Sequence, residues 1–143
     1  MSNNKRTARA RWIKGLQFEG VSGSGHRVTL DTSVENGGSN EGASPMEMIL
    51  IALAGCTALD VADILRKKRQ AFDGFEVRVE AIRGDEHPRV YTEVEIVYTL
   101  RGKAIDREAV ERAIELSETK YCSVSAMIGK TAKIKTRYEI LGA

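Results

Sequence analysis

The stretch "SPMEMILIALAGCTALDVADILRKKR", residues 44–69, decides the fold. Ser44 can cap a helix, Pro45 suits the first helical position, and Glu47 completes an S-x-x-E capping box. Arg66, Lys67, Lys68 and Arg69 crowd the far end, where cations oppose the negative pole of the helix dipole. That role suits them better than a nucleic-acid patch. The spacing predicts one helix over 45–69. About 25 residues at about 1.5 Å each span about 37 Å, against a radius of gyration of about 14–15 Å for a compact domain of this size. The helix therefore crosses the whole molecule. Its first half, "MEMILIALAGC", is apolar nearly all round, and such a helix must be covered on every side. One sheet covers one side. A second copy of the chain is the simplest cover for the rest, which predicts a homodimer with this helix near the interface. The alternative is cover by the helices predicted below over 107–119 and 122–129. Gly55, inside the helix, costs about 1 kcal/mol relative to Ala, so another backbone or a substrate is expected to approach it closely.

Outward from this helix the periodicity changes. Residues 7–13 place Ala8, Ala10 and Trp12 on one face and Arg9 and Arg11 on the other, and 16–21 and 25–31 alternate in the same way. Gly15, Gly20, Gly23 and Gly25 punctuate these runs as turns, which predicts three antiparallel strands. The Gly-rich segment 35–44 reads as a mobile loop. Beyond the helix, 75–83 and 89–102 alternate as a hairpin. Asp106 caps a helix over 107–119 with Ala109, Val110, Ala113, Ile114 and Leu116 inward, 122–129 reads as a short helix, and 132–141 as a last strand. The class is α+β, antiparallel sheet with helices packed on it.

The 143 residues fit one domain over 1–143, with N-terminal strands in 1–34, the central helix in 45–69 and a second part in 75–143. Hydrophobic residues make up 42% and charged residues 29%, an ordinary globular balance, and a formal net charge of +2 is too small for a nucleic-acid footprint. The start "MSNNKRTARARW" is basic without an apolar core and is not expected to be a secretory signal. The longest uncharged apolar-rich run, Met48 to Leu59, is shorter than the roughly 20 residues that cross a bilayer. A cytoplasmic protein with no membrane partner is expected.

There are 2 cysteines, Cys56 and Cys122. A structural disulfide is not expected in a reducing compartment. His26 and His87 stand apart from the cysteines, so spacing predicts neither a metal nor a cofactor. Reactivity follows the thiolate fraction. Cys122 follows Lys120 and opens a predicted helix, both of which lower a thiol's pKa. Cys56 is mid-helix, with Asp60 and Asp63 on its face. The residues alone rank Cys122 as the easier thiolate and leave both thiols open to a redox role or to plain packing.

The pair "SPMEMILIALAGCTALDV" and "KYCSVSAMIG" resembles the OsmC/Ohr family, the osmotically inducible and organic hydroperoxide resistance proteins, and its OsmC-related branch most of all. The resemblance extends over almost the whole chain: the element order, "GH" before the third strand, the Gly-rich loop, Pro45 ahead of Cys56, and a second cysteine at the head of a short helix. It implies an OsmC-like fold, an intertwined homodimer with its sites at the subunit interface, and thiol-dependent reduction of organic hydroperoxides in oxidative-stress defence. By position Cys56 matches the peroxidatic thiol and Cys122 the resolving thiol, with a small peroxide as substrate and a cellular dithiol as reductant.

The sequence departs from the characterised reductases at one point. Those carry a Glu directly after the Pro, paired with an Arg from an early Gly-rich loop. Here Met46 follows Pro45, and Glu47 lies about 180° from Cys56 at about 100° per residue, which favours a cap, while Glu47 and Asp60 stay candidates for a supporting role. Lys14 stands near the place of the missing Arg, and Arg27 is a second cationic candidate. Asp60 and His26 look typical of the branch. Two functions follow: a two-cysteine thiol peroxidase, or a non-catalytic dimer that binds or senses a ligand in an apolar interface pocket.

Overall fold

The computed structural model describes residues 4–142; Met1, Ser2, Asn3 and Ala143, the outer ends of the expected domain and of the strand segment 1–34, lie outside the described residues. The chain forms two compact units divided between Ile49 and Leu50.

In the first unit, β1 (Ala8–Lys14), β2 (Gln17–Ser22) and β3 (Arg27–Leu30) pair antiparallel in that order. The register sets Trp12 opposite Phe18 and Gly20 opposite Val28. Gly15, at φ 53°, takes the left-handed conformation of the first turn, and the Trp12 indole donates to its carbonyl at 2.8 Å. The strands and turns form as predicted, but the expected alternation of faces is not seen in the burial: β1 is exposed along its whole length and β3 along most of it.

The loop that follows is not loose, contrary to the expectation for 35–44. Asp31 is buried, and its carboxylate accepts the backbone N–H groups of Thr32 at 2.7 Å, Glu41 at 3.1 Å and Ser39 at 3.3 Å. These bonds hold its pKa below the ordinary carboxylate value. The loop runs so close to β3 that a Cβ on Gly42 would lie 2.4 Å from the Thr29 carbonyl oxygen. The reciprocal capping box then forms as expected: the Glu47 N–H donates to Ser44 Oγ at 3.2 Å, and the Ser44 N–H donates to the Glu47 carboxylate at 2.9 Å.

The helix so started, α1 (Pro45–Lys67), continues into the second unit. It buries Leu53, Thr57, Val61 and Leu65, one stripe at four-residue spacing. Its other sides are open: Ile51 is 56% exposed, Leu59 is 75% exposed, and nothing lies within 4 Å of where a Gly55 Cβ would be. The close approach expected at Gly55 is therefore not made by this chain. By length and composition α1 is also apolar enough to cross a bilayer, with a mean hydropathy of 2.0 over an 18-residue window. The sequence estimate fell short because it stopped at the uncharged run, whereas the helix runs on past Asp60.

β4 (Gly74–Arg83) pairs antiparallel with β5 (Tyr91–Arg101), and β6 (Lys133–Leu141) pairs parallel with the other edge of β5. This sheet is mixed, where a wholly antiparallel one was expected. A parallel neighbour needs a crossover, and the helical segment between β5 and β6 supplies it. β5 is the central strand and carries much of the core, with Val94, Ile96, Tyr98 and Leu100 buried. Asp106 caps α2 (Arg107–Leu116) by accepting the Glu108 N–H, and α2 buries Ala109, Val110, Ala113 and Ile114 as its pattern predicts, while Leu116, also expected inward, is half-buried. The expected extension to residue 119 instead becomes a π-helical turn, Ser117–Tyr121, before α3 (Ser123–Ile128).

Candidate active site

Three of the residues singled out in the sequence meet in the second unit. Cys56 sits midway along α1 and is half-buried; Asp60 follows one turn later on the same face; Cys122 is buried at the N-cap of α3. The two sulfurs and one carboxylate oxygen of Asp60 all lie within 4.8 Å of one another. The π turn makes this possible. Its closing bond runs from the Cys122 N–H to the Ser117 carbonyl at 2.7 Å, which fixes two side chains of the site to each other. Such turns, wider than an α turn, recur at functional positions.

The expectation that Cys122 is an easy thiolate is not met. Burial, and then a hydrogen bond shared with Cys56, push its thiol up to about 12. The Ser125 N–H donates to Cys122 Sγ at 3.3 Å and works the other way, without prevailing. Lys120, expected to favour the thiolate, lies over the Tyr121 ring at 5.2 Å. Removal from water outweighs one amide of a short helix.

Asp60 is held by a chain of hydroxyl groups. Ser117 Oγ lies 2.9 Å from Asp60 Oδ2 and 2.9 Å from Thr57 Oγ1, which lies 2.6 Å from the Tyr98 hydroxyl. Ser117 gives its one proton to Asp60, and each hydroxyl has one proton to give, which sets the direction throughout. Tyr98 donates to Thr57, Thr57 to Ser117, and Ser117 to Asp60. Burial raises the Tyr98 phenol above its ordinary value, so the proton at the head of the chain stays available. Thr57, Ser117 and Tyr98 were missed in the sequence reading. The available signal was a lone threonine in an apolar helix beside a cysteine.

Glu47, Lys14 and Arg27 belong to the other unit. Glu47 is the helix cap described above. Lys14 Nζ makes an exposed ion pair with Glu41 at 3.8 Å. Arg27 is exposed at the start of β3, just after His26, whose Nδ1 lies 3.0 Å from Ser24 Oγ.

Residues 38–137 match the family described as OsmC-like protein. The chain belongs to the OsmC-like family. It is 42% identical over 137 residues to Protein YhfA of Escherichia coli strain K12, covering 95% of this chain and 98% of that protein. A hypothetical protein from Aquifex aeolicus VF5 superposes with a TM-score of 0.86 at 30% identity over 99% of both chains. An organic hydroperoxide resistance protein OsmC from Legionella pneumophila, 13% identical, superposes with a TM-score of 0.71 over 97% of this chain and 99% of that one, and this likeness concerns the fold alone. The resemblance read from the two cysteine motifs is thus met. In this OsmC-like protein, the third member of the thiol cluster is an aspartate one helical turn after Cys56.

Proposed function

We propose that this OsmC-like protein reduces organic hydroperoxides with two cysteines. The observation that carries the reading is the meeting of Cys56 and Cys122 from separate elements, the first half-buried and the second buried. The Cys56 sulfur attacks the outer peroxide oxygen and the O–O bond breaks. The alkoxide leaves as an alcohol once protonated, and Cys56 is left as a sulfenic acid. The Cys122 sulfur then displaces hydroxide, which leaves as water, and closes a Cys56–Cys122 disulfide. A cellular dithiol restores both thiols by exchange. A carboxylate beside two thiols opposes a resting thiolate. Asp60 therefore acts as the base that takes the thiol proton during attack, held in place by Ser117. A second copy of the chain covers Ile51, Gly55 and Leu59 and makes a cytoplasmic homodimer, with Lys14 and Arg27 as candidate cationic support.

The second reading, a non-catalytic dimer that binds or senses a ligand, is favoured by that same carboxylate, since no lysine or arginine is among the groups that shift Cys122. Mass spectrometry of the thiols after one equivalent of organic hydroperoxide separates the two. The peroxidase gives a Cys56–Cys122 disulfide quickly. Thiols that react no faster than free cysteine leave the binding reading standing.

A further inference from the structure

We infer that the reduced site binds a thiophilic divalent metal ion, Zn2+ by chemistry, through Cys56 Sγ, Cys122 Sγ and a carboxylate oxygen of Asp60. The inference concerns the same residues as the peroxidase reading but does not depend on it. The three donor atoms come from two elements and lie within 4.8 Å of one another. In a tetrahedral zinc site with Zn–S bonds of about 2.3 Å, two thiolate sulfurs stand about 3.8 Å apart. The cluster thus needs only a small contraction to close on an ion.

Charge points the same way. A divalent ion displaces the two thiol protons to solvent and leaves two thiolates and one carboxylate around a 2+ centre, where opposite charges attract across the short donor distances. Two sulfur donors select Zn2+ over Mg2+ or Ca2+, which take oxygen ligands.

The outer shell is already built. Ser117 donates to Asp60 Oδ2 at 2.9 Å and leaves the other carboxylate oxygen for the ion; behind it, Thr57 and Tyr98 fix Ser117. The Ser125 N–H donates to Cys122 Sγ at 3.3 Å, the kind of bond that steadies a thiolate ligand. Ligands oriented by a hydrogen-bonded second layer are characteristic of metal centres. Three protein ligands leave a fourth position for water or substrate. Sites with an open position exchange water or substrate, whereas purely structural sites are closed by four protein ligands. Metal binding and disulfide formation use the same sulfur lone pairs, so the two states exclude each other. Two-electron oxidation of the pair by a hydroperoxide, with two protons taken up, yields disulfide, alcohol and water and releases the ion.

The test is titration of the reduced full chain with Co2+, followed by Zn2+. Expected are a thiolate-to-cobalt charge-transfer band with the strong visible bands of a four-coordinate ion, saturation at one Co2+ per chain, and loss of both on adding Zn2+. Cys56→Ser and Cys122→Ser should each abolish the charge-transfer band of the two-sulfur site. Asp60→Asn should weaken Co2+ at least tenfold, Ser117→Ala by about tenfold, and Asp60→His should retain the ion with shifted visible bands. Asp63→Asn, an exposed carboxylate on the same helix, should bind as the parent does. Thermal melting of each variant shows that it is folded, and Asp60→His decides the matter if Asp60→Asn is not. Absence of the charge-transfer band in the parent, or equal Co2+ affinity in folded Asp60→Asn, overturns the site. A chain that binds Co2+ as described yet ignores hydroperoxide refutes only the peroxidase reading, and the converse refutes only the metal.

Discussion

Cys122 and Ser117 are locked together by the backbone: the amide of one donates to the carbonyl of the other at 2.7 Å across the π turn. One side chain of this pair reaches the Cys56 thiol and the other the Asp60 carboxylate. A single irregular turn thus delivers both partners that α1 needs at its middle, and the chemistry depends on a feature that no apolar periodicity announces.

Thr57 stands at the centre of the hydroxyl chain, and its loss should be felt as stability. Thr57→Val keeps the shape but removes a buried donor and acceptor, leaving Ser117 and Tyr98 each short of a partner. A loss of about 1–3 kcal/mol is expected, read by denaturant unfolding. Thr57→Ser, which keeps the hydroxyl, should lose less. Equal stability of Thr57→Val and the parent would mean that the chain contributes nothing net to folding.

The raised pKa of Cys122 has a definite sign. Its folded value, about 12, lies above the thiol's ordinary value of 9.0. The stability it contributes is therefore full below the ordinary value and falls as pH rises toward the folded value, because the unfolded chain gives up its proton first. Unfolding free energy should drop between about pH 9 and 12 by more in the parent than in Cys122→Ser, and native Cys122 should resist alkylation near pH 8. Fast alkylation of Cys122 in the folded protein would contradict its burial.

Glu47→Ala should cost about 0.5–1 kcal/mol, as for other lost helix caps, and leave peroxide chemistry nearly intact. The two bonds to Ser44 lower the Glu47 pKa, so its contribution is present above the ordinary glutamate value and disappears as pH falls through the lowered one. Unchanged melting with a large fall in turnover would place Glu47 at the reacting sulfur instead.

Gly42→Ala should disrupt the loop pinned on Asp31. The added Cβ would meet the Thr29 backbone at 2.4 Å, where nothing flexible can yield. Overpacking of this kind costs about 1–3 kcal/mol, and hydrogen exchange at the Ser39 and Glu41 amides should rise with it. Unaltered exchange would show that the loop has room to move.

These expectations mark where the sequence was legible. The S-x-x-E box, four of the five inward positions of α2 and the alternation of β4 and β6 were readable because each is a local rule with a short period, and the structure keeps them. The parallel pairing of β6, the grip of Asp31 on its loop and the π turn were not, since each depends on where the chain returns in space. The same holds for the site. Cys56 and Asp60 could be placed on one face because they share a helix, whereas the burial that reverses the expectation for Cys122 comes from residues distant in sequence. A helix N-terminus is visible in a string of letters and desolvation is not.

The sharpest expectation concerns the division of labour between the thiols. Cys56 is half-buried and Cys122 is buried, so an incoming peroxide reaches Cys56 first. Cys56→Ser should abolish rapid consumption of organic hydroperoxide, while Cys122→Ser should allow a first turnover and trap Cys56 as sulfenic or over-oxidised species. The raised pKa of Cys122 strengthens this order, because a thiol that holds its proton attacks a peroxide slowly, whereas a sulfenic acid within reach is a far easier target. Disulfide closure needs Cα atoms within about 7 Å, and the 4.8 Å limit on the separation of the ligand atoms already brings the sulfurs near. Asp60→Asn should slow the first step and spare the second if, as proposed, Asp60 takes the proton of the attacking thiol. Stopped-flow consumption of hydroperoxide with quenched mass spectrometry separates the two steps. Fast turnover in Cys56→Ser together with its loss in Cys122→Ser would reverse the roles, and a first step as fast in Asp60→Asn as in the parent would remove Asp60 from the chemistry.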